Sequence, residues 1–312
     1  MKTLLSVIIP TKNRKALLEV TLENIFRQTL PPDEVIVIDD QSDDGTYEML
    51  SGQYQGRVIA LKGEGKGPGA ARNKGLGVAT GKYIQFFDSD DLMTLNKLED
   101  QVGLLEKTGR HMAYGPYIMA AYTEKGWEHN GLILNYHPIN ASLYQCMVRG
   151  WNIITQACLF SREVIDRVPA WDETLMTHED YLYLYEVSKE VEEPVHSNQS
   201  ATIYRQHHAQ LTDDHTIDLQ RAKNALNVLR KMEGEKQTIL DAAFIKGRKY
   251  HTSKYAGIQN ESHLFEKFSG IFSYYLYKGS QKWGRIQTKS DWQPFHGGLK
   301  DENIVHHYLD QL

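Results

Sequence analysis

The sequence predicts an α/β fold in which a mostly parallel sheet is flanked by helices on both faces. Short apolar runs typical of buried strands occur at residues 4–9, 34–39, 58–61 and 83–87, and apolar residues at helical spacing lie between them. Strands that alternate with helices form right-handed crossovers, which make the strands parallel and cover both faces of the sheet. A chain of 312 residues suits one large domain or one domain with an appendage.

Each element has its own signals. Pro10 ends the first strand, and a glycine-rich loop at residues 63–69 precedes the third helix. Beyond Asp91 the alternation weakens, with hairpin or loop sequence at residues 118–150. The predicted later strands are 111–117 and 153–160, and the predicted helices are 17–26, about 44–54, about 70–79, about 95–107, 162–168, 181–189 and a helical region from about 215.

Composition excludes several classes of protein. The net charge of −5 argues against a nucleic-acid binder, which usually carries a basic excess. No apolar run approaches the roughly 20 residues of a membrane span, and the apolar start is too short for a signal peptide. Cys146 and Cys158 lack metal-ligand spacing, which is typical of reduced cysteines in the cytosol. We therefore predict a cytoplasmic protein that is not integral to a membrane.

An acidic cluster, Asp88-Ser89-Asp90-Asp91, directly follows the fourth predicted strand. Ligands of open parallel sheets bind beyond the carboxyl ends of the strands, so these carboxylates should face the cleft. Adjacent carboxylates repel one another unless a cation compensates them, and oxygen ligands suit Mg²⁺ or Mn²⁺ held together with substrate phosphates. The alternative is a solvated acidic turn that caps the next helix.

Two other strand ends should lie at the same edge, at Pro10-Thr11 and Asp39-Asp40. The Asp40 carboxylate can accept a hydrogen bond from a pyrimidine N3–H, and backbone groups near Thr11 can frame the base. Together the three strand ends favour a nucleotide site. Taken alone, Asp39-Asp40 is equally well explained as a helix-capping turn.

Three further groups of residues each allow two interpretations. Lys66 and Arg72 lie beside a predicted helix N-terminus, which suits a diphosphate, although a surface loop explains them too. Glu179-Asp180 directly precedes the helix predicted at 181–189, so these acids provide either a general base or favourable charges for the first turn. His207-His208 supplies either a metal or phosphate ligand or surface histidines.

These segments together resemble glycosyltransferase family 2, whose members are inverting enzymes with the GT-A fold. The similarity covers residues 4 to about 212, and the motifs occur in the order of that family. They are Val7-Ile8-Ile9-Pro10-Thr11, Val37-Ile38-Asp39-Asp40-Gln41-Ser42-Asp43-Asp44-Gly45-Thr46, Ala70-Ala71-Arg72-Asn73, Phe87-Asp88-Ser89-Asp90-Asp91 and Glu179-Asp180. Trp171-Asp172-Glu173 stands where the family usually has Phe-Asp-Glu, which is a conservative departure.

The resemblance implies a role for each matching residue. Asp180 would be the catalytic base, with Glu179 beside it, and Asp90 would hold a divalent metal, Mn²⁺ or Mg²⁺. His207 is preferred over His208 as the metal-side histidine, because Arg205-Gln206-His207 resembles the family's Arg-x-His element. The implied nucleotide-sugar-binding residues are Pro10, Thr11, Asn13, Asp40, Lys66, Arg72, Asp88, Ser89 and Asp90, and the implied metal set is Asp90, Asp88 and His207.

The implied reaction moves a sugar from a nucleotide-sugar donor, a UDP-sugar, to a hydroxyl of a glycan or lipid-linked glycan in polysaccharide biosynthesis of the cell envelope. A nucleotidyltransferase of related fold and a catalytically silent nucleotide- or glycan-binding protein are the rival interpretations. The expected organisation is a catalytic domain at 1–214, with a nucleotide-sugar half at 1–91 and an acceptor half at 92–214, followed by a helical region at 215–312.

Residues 264–292 interleave aromatic with basic side chains in an otherwise acidic protein. Such a face can rest on an anionic membrane, which would place the protein at the inner surface of the membrane. The alternative is that the aromatic residues form a helix-packing core with a solvated basic rim. The sequence makes no prediction of the oligomeric state.

Overall fold

A computed structural model describes residues 4–124, 126–133, 142–150, 153–207, 218–233, 241–242, 244–246, 248–249 and 252. The strands are β1 (Leu5–Thr11), β2 (Glu34–Asp39), β3 (Ile59–Lys62), β4 (Tyr83–Phe86), β5 (Leu92–Met93), β6 (Met112–Tyr114), β7 (Tyr117–Thr123), β8 (Gly126–Ile133), β9 (Cys158–Ser161), β10 (Val195–His196) and β11 (Thr202–Arg205). The helices are α1 (Lys15–Phe26), α2 (Thr46–Gly52), α3 (Pro68–Leu76), α4 (Lys97–Thr108), α5 (Leu143–Val148), α6 (Arg162–Ile165), α7 (Glu179–Glu190) and α8 (Asp218–Met232).

The main sheet has seven strands in the order β10-β6-β9-β4-β1-β2-β3. All neighbouring pairs are parallel except those of β9, which runs antiparallel to both β4 and β6. The prediction of a mostly parallel sheet with flanking helices is therefore confirmed. Parallel pairing brings the carboxyl ends of β1, β2 and β4 to one edge of the sheet.

Apolar cores lie on both faces of the main sheet. Along β1, Val7 and Ile9 face one core and Ile8 faces the other, as the two-residue period of a strand requires. All three side chains are fully buried. Leu18 and Leu22 of α1 pack in the first core, while the second is covered by α3, α5, α7 and α8. Burial of this central strand on both faces explains why β1 is a nearly continuous apolar run, with Ser6 as a buried polar exception.

The second half of the chain differs from the prediction in three places. The predicted strand 111–117 is two strands, because Gly115-Pro116 interrupts it and Pro116 has no N–H to donate to a ladder. β6 stays in the main sheet, whereas β7 joins a second sheet of order β5-β11-β7-β8. The predicted strand 153–160 begins with a 3₁₀ turn at Thr155–Ala157, so only β9 is extended, and the predicted helix 162–168 ends at Ile165. Of the two alternatives expected for residues 118–150, a hairpin or a loop, the antiparallel pairing of β7 with β8 shows a hairpin in the first part of this range.

The described part of the C-terminal region packs on the rest of the protein. Val228, Leu229 and Met232 of α8 are buried in the core that also contains Trp171, and the Asn224 side chain donates a hydrogen bond to Thr177 Oγ1 at 3.0 Å. The predicted boundary at 214 stays a prediction, because residues 208–217 lie outside the described residues. The basic and aromatic segment 264–292 and His208 lie outside them as well.

Two smaller sequence predictions concern membrane spans and cysteines. Within the described ranges, no helix is both long and apolar enough to cross a membrane. Cys146 and Cys158 are buried and unlinked, as expected for reduced cysteines. Burial raises the pKa of the Cys146 thiol to about 12, so this thiol stays protonated near neutral pH.

Candidate active site

The three strand ends, of which those after β2 and β4 are acidic, meet as the sequence predicts. The backbone N–H of Asp40 donates to the carbonyl of Thr11 at 2.8 Å, and the N–H of Phe87 donates to that of Ile8 at 2.9 Å. The ends of β1, β2 and β4 are thus locked side by side, and Asp88-Ser89-Asp90 continues directly from this edge. The convergence follows from parallel pairing, not from the acidic residues themselves.

Asp40 shapes the glycine-rich loop. Its carboxylate accepts hydrogen bonds from the N–H groups of Gly65 at 2.7 Å and Gly67 at 2.9 Å. A Cβ at Gly63 would lie 2.4 Å from Asp40 Oδ1, so only glycine allows this approach. These two bonds leave acceptor capacity on the Asp40 carboxylate, because a carboxylate can accept more than two hydrogen bonds. Contact between Asp40 and a nucleoside is thus compatible with this geometry and stays a prediction. Lys66 in the same loop is largely exposed and pairs with Glu64 at 2.6 Å.

Thr11 and Asn13 follow β1 at the same edge. Among the described residues, the buried Thr11 Oγ1 has no hydrogen-bond partner, which is costly unless a ligand supplies one. Asn13 adopts a positive φ of 50° and accepts a hydrogen bond from the N–H of Asp43 at 2.8 Å. Asn13 therefore ties the loop after β1 to the loop after β2, whereas Thr11 offers an unsatisfied polar atom.

Arg72 of α3 joins the two acidic clusters. Its guanidinium donates to Asp88 Oδ1 at 2.8 Å and to Glu179 Oε1 at 2.9 Å, although 107 residues separate Arg72 from Glu179. Arg72 and Glu179 are buried, while Asp88 is partly exposed. The planar fork of arginine suits two carboxylates at once, which the single ammonium of lysine matches less well. Arg72 thus holds the N-terminus of α7 against the Asp-Ser-Asp motif.

An aromatic stack supports this arginine. The Arg72 guanidinium lies 4.5 Å from the centre of the Trp171 ring, and Tyr183 stacks on the same indole with ring centres 4.0 Å apart. Phe86 of β4 meets the Trp171 ring edge-on at 5.0 Å. Trp171 is the residue that departs from the phenylalanine of the family pattern, and tryptophan is the best of the aromatic residues for holding a cation over its face.

Asp90 engages two donors through a single oxygen. Asp90 Oδ2 forms an ion pair with Arg14 and lies 3.0 Å from His207 Nε2. Burial opposes ionisation of Asp90, but the hydrogen bond from His207 and the charge of Arg14 outweigh it and lower the pKa of the carboxyl. Asp90 is therefore an anion at neutral pH, as a metal ligand has to be.

The predicted metal ligands are only partly assembled. Asp90 and His207 are adjacent, whereas the carboxylate of Asp88 is turned toward Arg72. Within the described ranges, no group of three His, Cys, Asp or Glu side chains is arranged to hold a metal ion. Mg²⁺ and Mn²⁺ sites that bind nucleotides often use one or two protein ligands and complete the shell with phosphates and water. Asp90 with His207 fits such a site.

Two residues hold the backbone of the loop Ser89-Asp90-Asp91. Thr21 Oγ1 of α1 lies 3.0 Å from the carbonyl oxygens of both Ser89 and Asp91. Arg205 of β11 donates to the Asp90 carbonyl and, at 2.8 Å, to Thr21 Oγ1. The three carbonyls of Ser89-Asp90-Asp91 are therefore fixed from outside the loop, which pre-organises the direction of the Asp90 side chain.

Asp91 anchors this loop from below. Its carboxyl is buried and accepts from Gln156 Nε2 at 2.6 Å and from the Arg205 N–H at 3.0 Å. Burial, with the charges of Asp90 and Asp88, raises the pKa of Asp91 well above its usual range. Gln85 links the Gln156 carbonyl, at 3.2 Å, to the buried Lys97, whose Nζ lies 2.6 Å from Gln85 Oε1. Asp91 is thus buried beneath the loop, where it stabilises the backbone through Gln156 and Arg205.

The N-terminus of α7 places Glu179 and Asp180. His178 precedes the helix with a positive φ of 64°, a conformation that non-glycine residues adopt mostly where the surroundings impose it. Asp180 Oδ1 accepts a hydrogen bond from the Tyr181 N–H at 2.7 Å. Burial and the nearby Asp180 outweigh the effect of Arg72 and raise the pKa of Glu179 to about 7.

The raised pKa of Glu179 predicts a pH-dependent stability. Because the carboxyl binds its proton more tightly in the folded protein (pKa about 7) than in the unfolded chain (4.5), its stabilisation is full below pH 4.5 and is lost as pH rises through 7. Glu179→Gln cannot ionise, so between pH 4.5 and 7 its free energy of unfolding should fall by on the order of 3 kcal/mol less than that of wild type. Chemical denaturation at several pH values measures this, with exposed Glu163→Gln as the control; identical slopes for Glu179→Gln and wild type contradict it.

Sequence reasoning missed several residues of the site. Arg14 was discoverable, because it follows the carboxyl end of β1, but no motif distinguishes it from a surface arginine. Thr21 in the middle of a helix and Gln156 in a 3₁₀ turn carry no sequence signal at all. Their contacts with Asp91 span 70 and 65 residues, so only the folded chain reveals them.

Comparison with known proteins identifies a family to which this sequence is similar. The profile described as glycosyl transferase family 2 matches residues 6–168. The UDP-Glc:alpha-D-GlcNAc-diphosphoundecaprenol beta-1,3-glucosyltransferase WfaP of Escherichia coli is 30% identical over 227 residues, which are 72% of this chain and 85% of that protein.

Two solved structures share the fold. S. aureus TarS 1-349 in complex with UDP-GlcNAc aligns with a TM-score of 0.60 and 16% identity, covering 91% of this chain and 83% of that chain. The mannosyltransferase PcManGT from Pyrobaculum calidifontis in complex with GDP-Man and Mn²⁺ aligns with a TM-score of 0.57 and 17% identity, covering 92% and 84%. Because the profile spans more than half of the chain, this protein belongs to glycosyl transferase family 2 and is a glycosyltransferase with the GT-A fold.

Proposed function

We propose that this enzyme transfers a sugar from a UDP-sugar to a hydroxyl of a lipid-linked glycan, with inversion at the anomeric carbon. One observation carries the proposal: Arg72 joins Asp88 of the Asp-Ser-Asp motif to Glu179, the neighbour of Asp180. A donor-side acidic motif and a candidate base are thereby held at one edge of the sheet. This is the arrangement that a single displacement requires, because the base and the leaving group must act on opposite sides of one carbon.

Asp180 is the proposed base. Its carboxylate accepts the proton of the acceptor hydroxyl while the hydroxyl oxygen attacks the anomeric carbon and the bond to the UDP oxygen breaks. Glu179 is buried and bound to Arg72, so it positions the start of α7 and does not take this proton. A glycosidase uses two carboxylates that flank the bond, whereas this transfer needs one base and a stabilised leaving group.

The donor site is proposed at the ends of β1, β2 and β4. Thr11 Oγ1 supplies an unsatisfied polar atom for the nucleoside, and Asp40 holds the glycine-rich loop beside it. Asp90 and His207 would hold Mn²⁺ or Mg²⁺ next to the diphosphate. When bound, such an ion neutralises the charge that develops on the departing UDP. The PcManGT structure of similar fold includes Mn²⁺ with its nucleotide sugar, which supports a divalent ion here.

We base the proposed classes of donor and acceptor on WfaP, most of whose length this chain covers. WfaP is named for UDP-Glc as donor and a GlcNAc-diphosphoundecaprenol as acceptor, and this chain covers 85% of it. We therefore favour a UDP-hexose and a lipid-diphosphate-linked sugar. The cytoplasmic location, which is expected from the composition, remains a prediction. The membrane contact, which is expected from residues 264–292, remains one too.

A donor panel tests the proposal. The protein is incubated with UDP-Glc, UDP-Gal, UDP-GlcNAc or GDP-Man, an undecaprenyl-diphosphate-linked GlcNAc acceptor and Mn²⁺, and the released nucleotide is measured. Metal-dependent UDP release that requires the acceptor supports it. Transfer of the nucleoside monophosphate to the acceptor, with release of a sugar 1-phosphate in place of UDP, would indicate a nucleotidyltransferase. Nucleotide binding without turnover of any of these donors would indicate a silent binding protein.

Asp90→Asn tests the metal assignment in the same preparation. Asparagine keeps the shape but removes the charge, so we expect Mn²⁺-dependent UDP binding to weaken by roughly tenfold or more, with little change in melting temperature. Isothermal titration with and without Mn²⁺ measures the difference. Tight Mn²⁺-dependent binding of UDP by Asp90→Asn would show that Asp90 is not the metal ligand.

A further inference from the structure

Arg14 lies where a divalent ion would have to bind. Its backbone caps α1, since the N–H of Leu18 donates to the Arg14 carbonyl at 2.8 Å, while its side chain reaches Asp90 across 76 residues of sequence. The guanidinium pairs with Asp90 Oδ2, the oxygen that also contacts His207 Nε2 at 3.0 Å. The Arg14 side chain is 21% exposed and that of Asp90 is 9% exposed, so the pair is largely shielded from water.

A divalent ion and this guanidinium compete for the same place. An ion held by Asp90 and His207 must approach the oxygen that Arg14 contacts, since His207 meets Asp90 there. Two cations about 4 Å apart repel each other strongly in a partly buried site. Binding of the ion therefore requires the Arg14 ion pair with Asp90 to break.

The donor diphosphate would offer the displaced guanidinium a new partner. Under the proposed function, on which this inference rests, the ion arrives together with a diphosphate beside Asp90. Arginine binds phosphate oxygens through parallel N–H donors, and an arginine whose backbone is fixed at the start of α1 needs only rotation of its side chain to reach them. We infer that Arg14 exchanges partners during donor binding, leaving the Asp90 carboxylate for the donor diphosphate as the divalent ion takes its place.

The exchange predicts effects of opposite sign for one substitution. Arg14→Gln removes the competitor of the ion, so Mn²⁺ alone should bind about fivefold more tightly than to wild type. The same change removes a phosphate contact, so UDP at saturating Mn²⁺ should bind about fivefold more weakly. A purely structural arginine would weaken both or change neither, and a simple blocker of the site would tighten both.

The first measurement is electron paramagnetic resonance of free Mn²⁺ without nucleotide, and the second is isothermal titration of UDP at saturating Mn²⁺. The matched control is Arg110→Gln, which breaks another arginine–carboxylate pair, with Glu193, on the loop before β6 at the opposite edge of the sheet. This control should bind Mn²⁺ and UDP as wild type does. If Arg14→Gln lowers the melting temperature, Arg14→Lys provides the same test. Its affinities for Mn²⁺ and UDP should then change in the same directions by smaller factors.

Opposite signs in the two titrations support the exchange. Unchanged or weaker Mn²⁺ binding by Arg14→Gln overturns it, and so does unchanged or tighter UDP binding. If wild type binds UDP in a Mn²⁺-dependent way and Arg14→Gln does the same with equal constants, only the exchange fails. If wild type binds neither Mn²⁺ nor UDP, the proposed function fails and the exchange fails with it.

Discussion

Asp180→Asn is expected to lower kcat by a factor on the order of 10² or more, while the Kd for UDP stays close to that of wild type. Asparagine has the same shape but cannot accept the acceptor's proton. Its side-chain oxygen can still accept the hydrogen bond that the Tyr181 N–H makes with Asp180 at 2.7 Å, so the start of α7 should be preserved. The substitution therefore separates chemistry from structure at this position.

The alternative role of Asp180 is that of a favourable acid in the first turn of α7. In that case its replacement costs only about 0.3–1 kcal/mol of stability and leaves kcat unchanged. A matched control is Glu48→Gln, which removes an exposed first-turn acid from α2. Its kcat should equal that of wild type.

Single-turnover release of UDP at saturating donor and acceptor measures the Asp180 effect, and titration of UDP supplies the Kd. Wild-type turnover by Asp180→Asn would move the base to Glu179 or remove it from the mechanism. In the proposed mechanism Glu179→Gln retains most of its activity, because glutamine still accepts the hydrogen bond from Arg72.

The sequence predicts the first half of the fold well for a physical reason. Central parallel strands are buried on both faces, so β1, β2 and β4 are mostly apolar, with Ser6 and Gln85 as buried polar exceptions, and polar residues follow at the strand ends. Parallel pairing then forces Thr11, Asp40 and Asp88 to one edge without any further information. The position of these three residues is therefore a consequence of topology that the sequence pattern already contains.

Other features depend on contacts that no local pattern encodes. A short buried strand has the same composition in either direction, which is why the antiparallel course of β9 cannot be read from Cys158–Ser161. The partners of Arg72 are equally hidden. Its position beside a helix N-terminus suggests a phosphate ligand, whereas in the fold both of its Nη atoms are bound to carboxylates and its plane lies near Trp171. Direct contact between Arg72 and the donor phosphates stays a prediction. Its ion pairs with Asp88 and Glu179 also give it a structural role.

That role makes Arg72→Met the substitution with the largest expected effect on stability. Removing one partner of a buried pair leaves the other charge uncompensated, so the free energy of unfolding at pH 8 should fall by about 3 kcal/mol. Methionine keeps an apolar side chain against the Trp171 ring, so the loss reports the charge and not the packing. We also expect kcat to fall by about 10² or more, since Asp88 and the start of α7 lose their common anchor.

A double-mutant cycle with Glu179 identifies the cause. If the stability loss comes from a stranded carboxylate, Arg72→Met/Glu179→Gln should regain at least half of it, because the second change removes the buried charge. The activity should stay low in the double variant, since Asp88 still lacks its partner at 2.8 Å. In the double variant the free energy of unfolding should therefore recover in part, while kcat should not.

The control for this cycle is Arg167→Met, which removes an exposed arginine that pairs with Glu163 at 2.9 Å. Exposed pairs of this kind contribute less than about 1 kcal/mol, so its unfolding curve should nearly overlay that of wild type. Urea denaturation of the four proteins of the cycle and of this control gives the free energies. A double variant as unstable as Arg72→Met would show that the uncompensated Glu179 carboxylate does not cause the loss of stability.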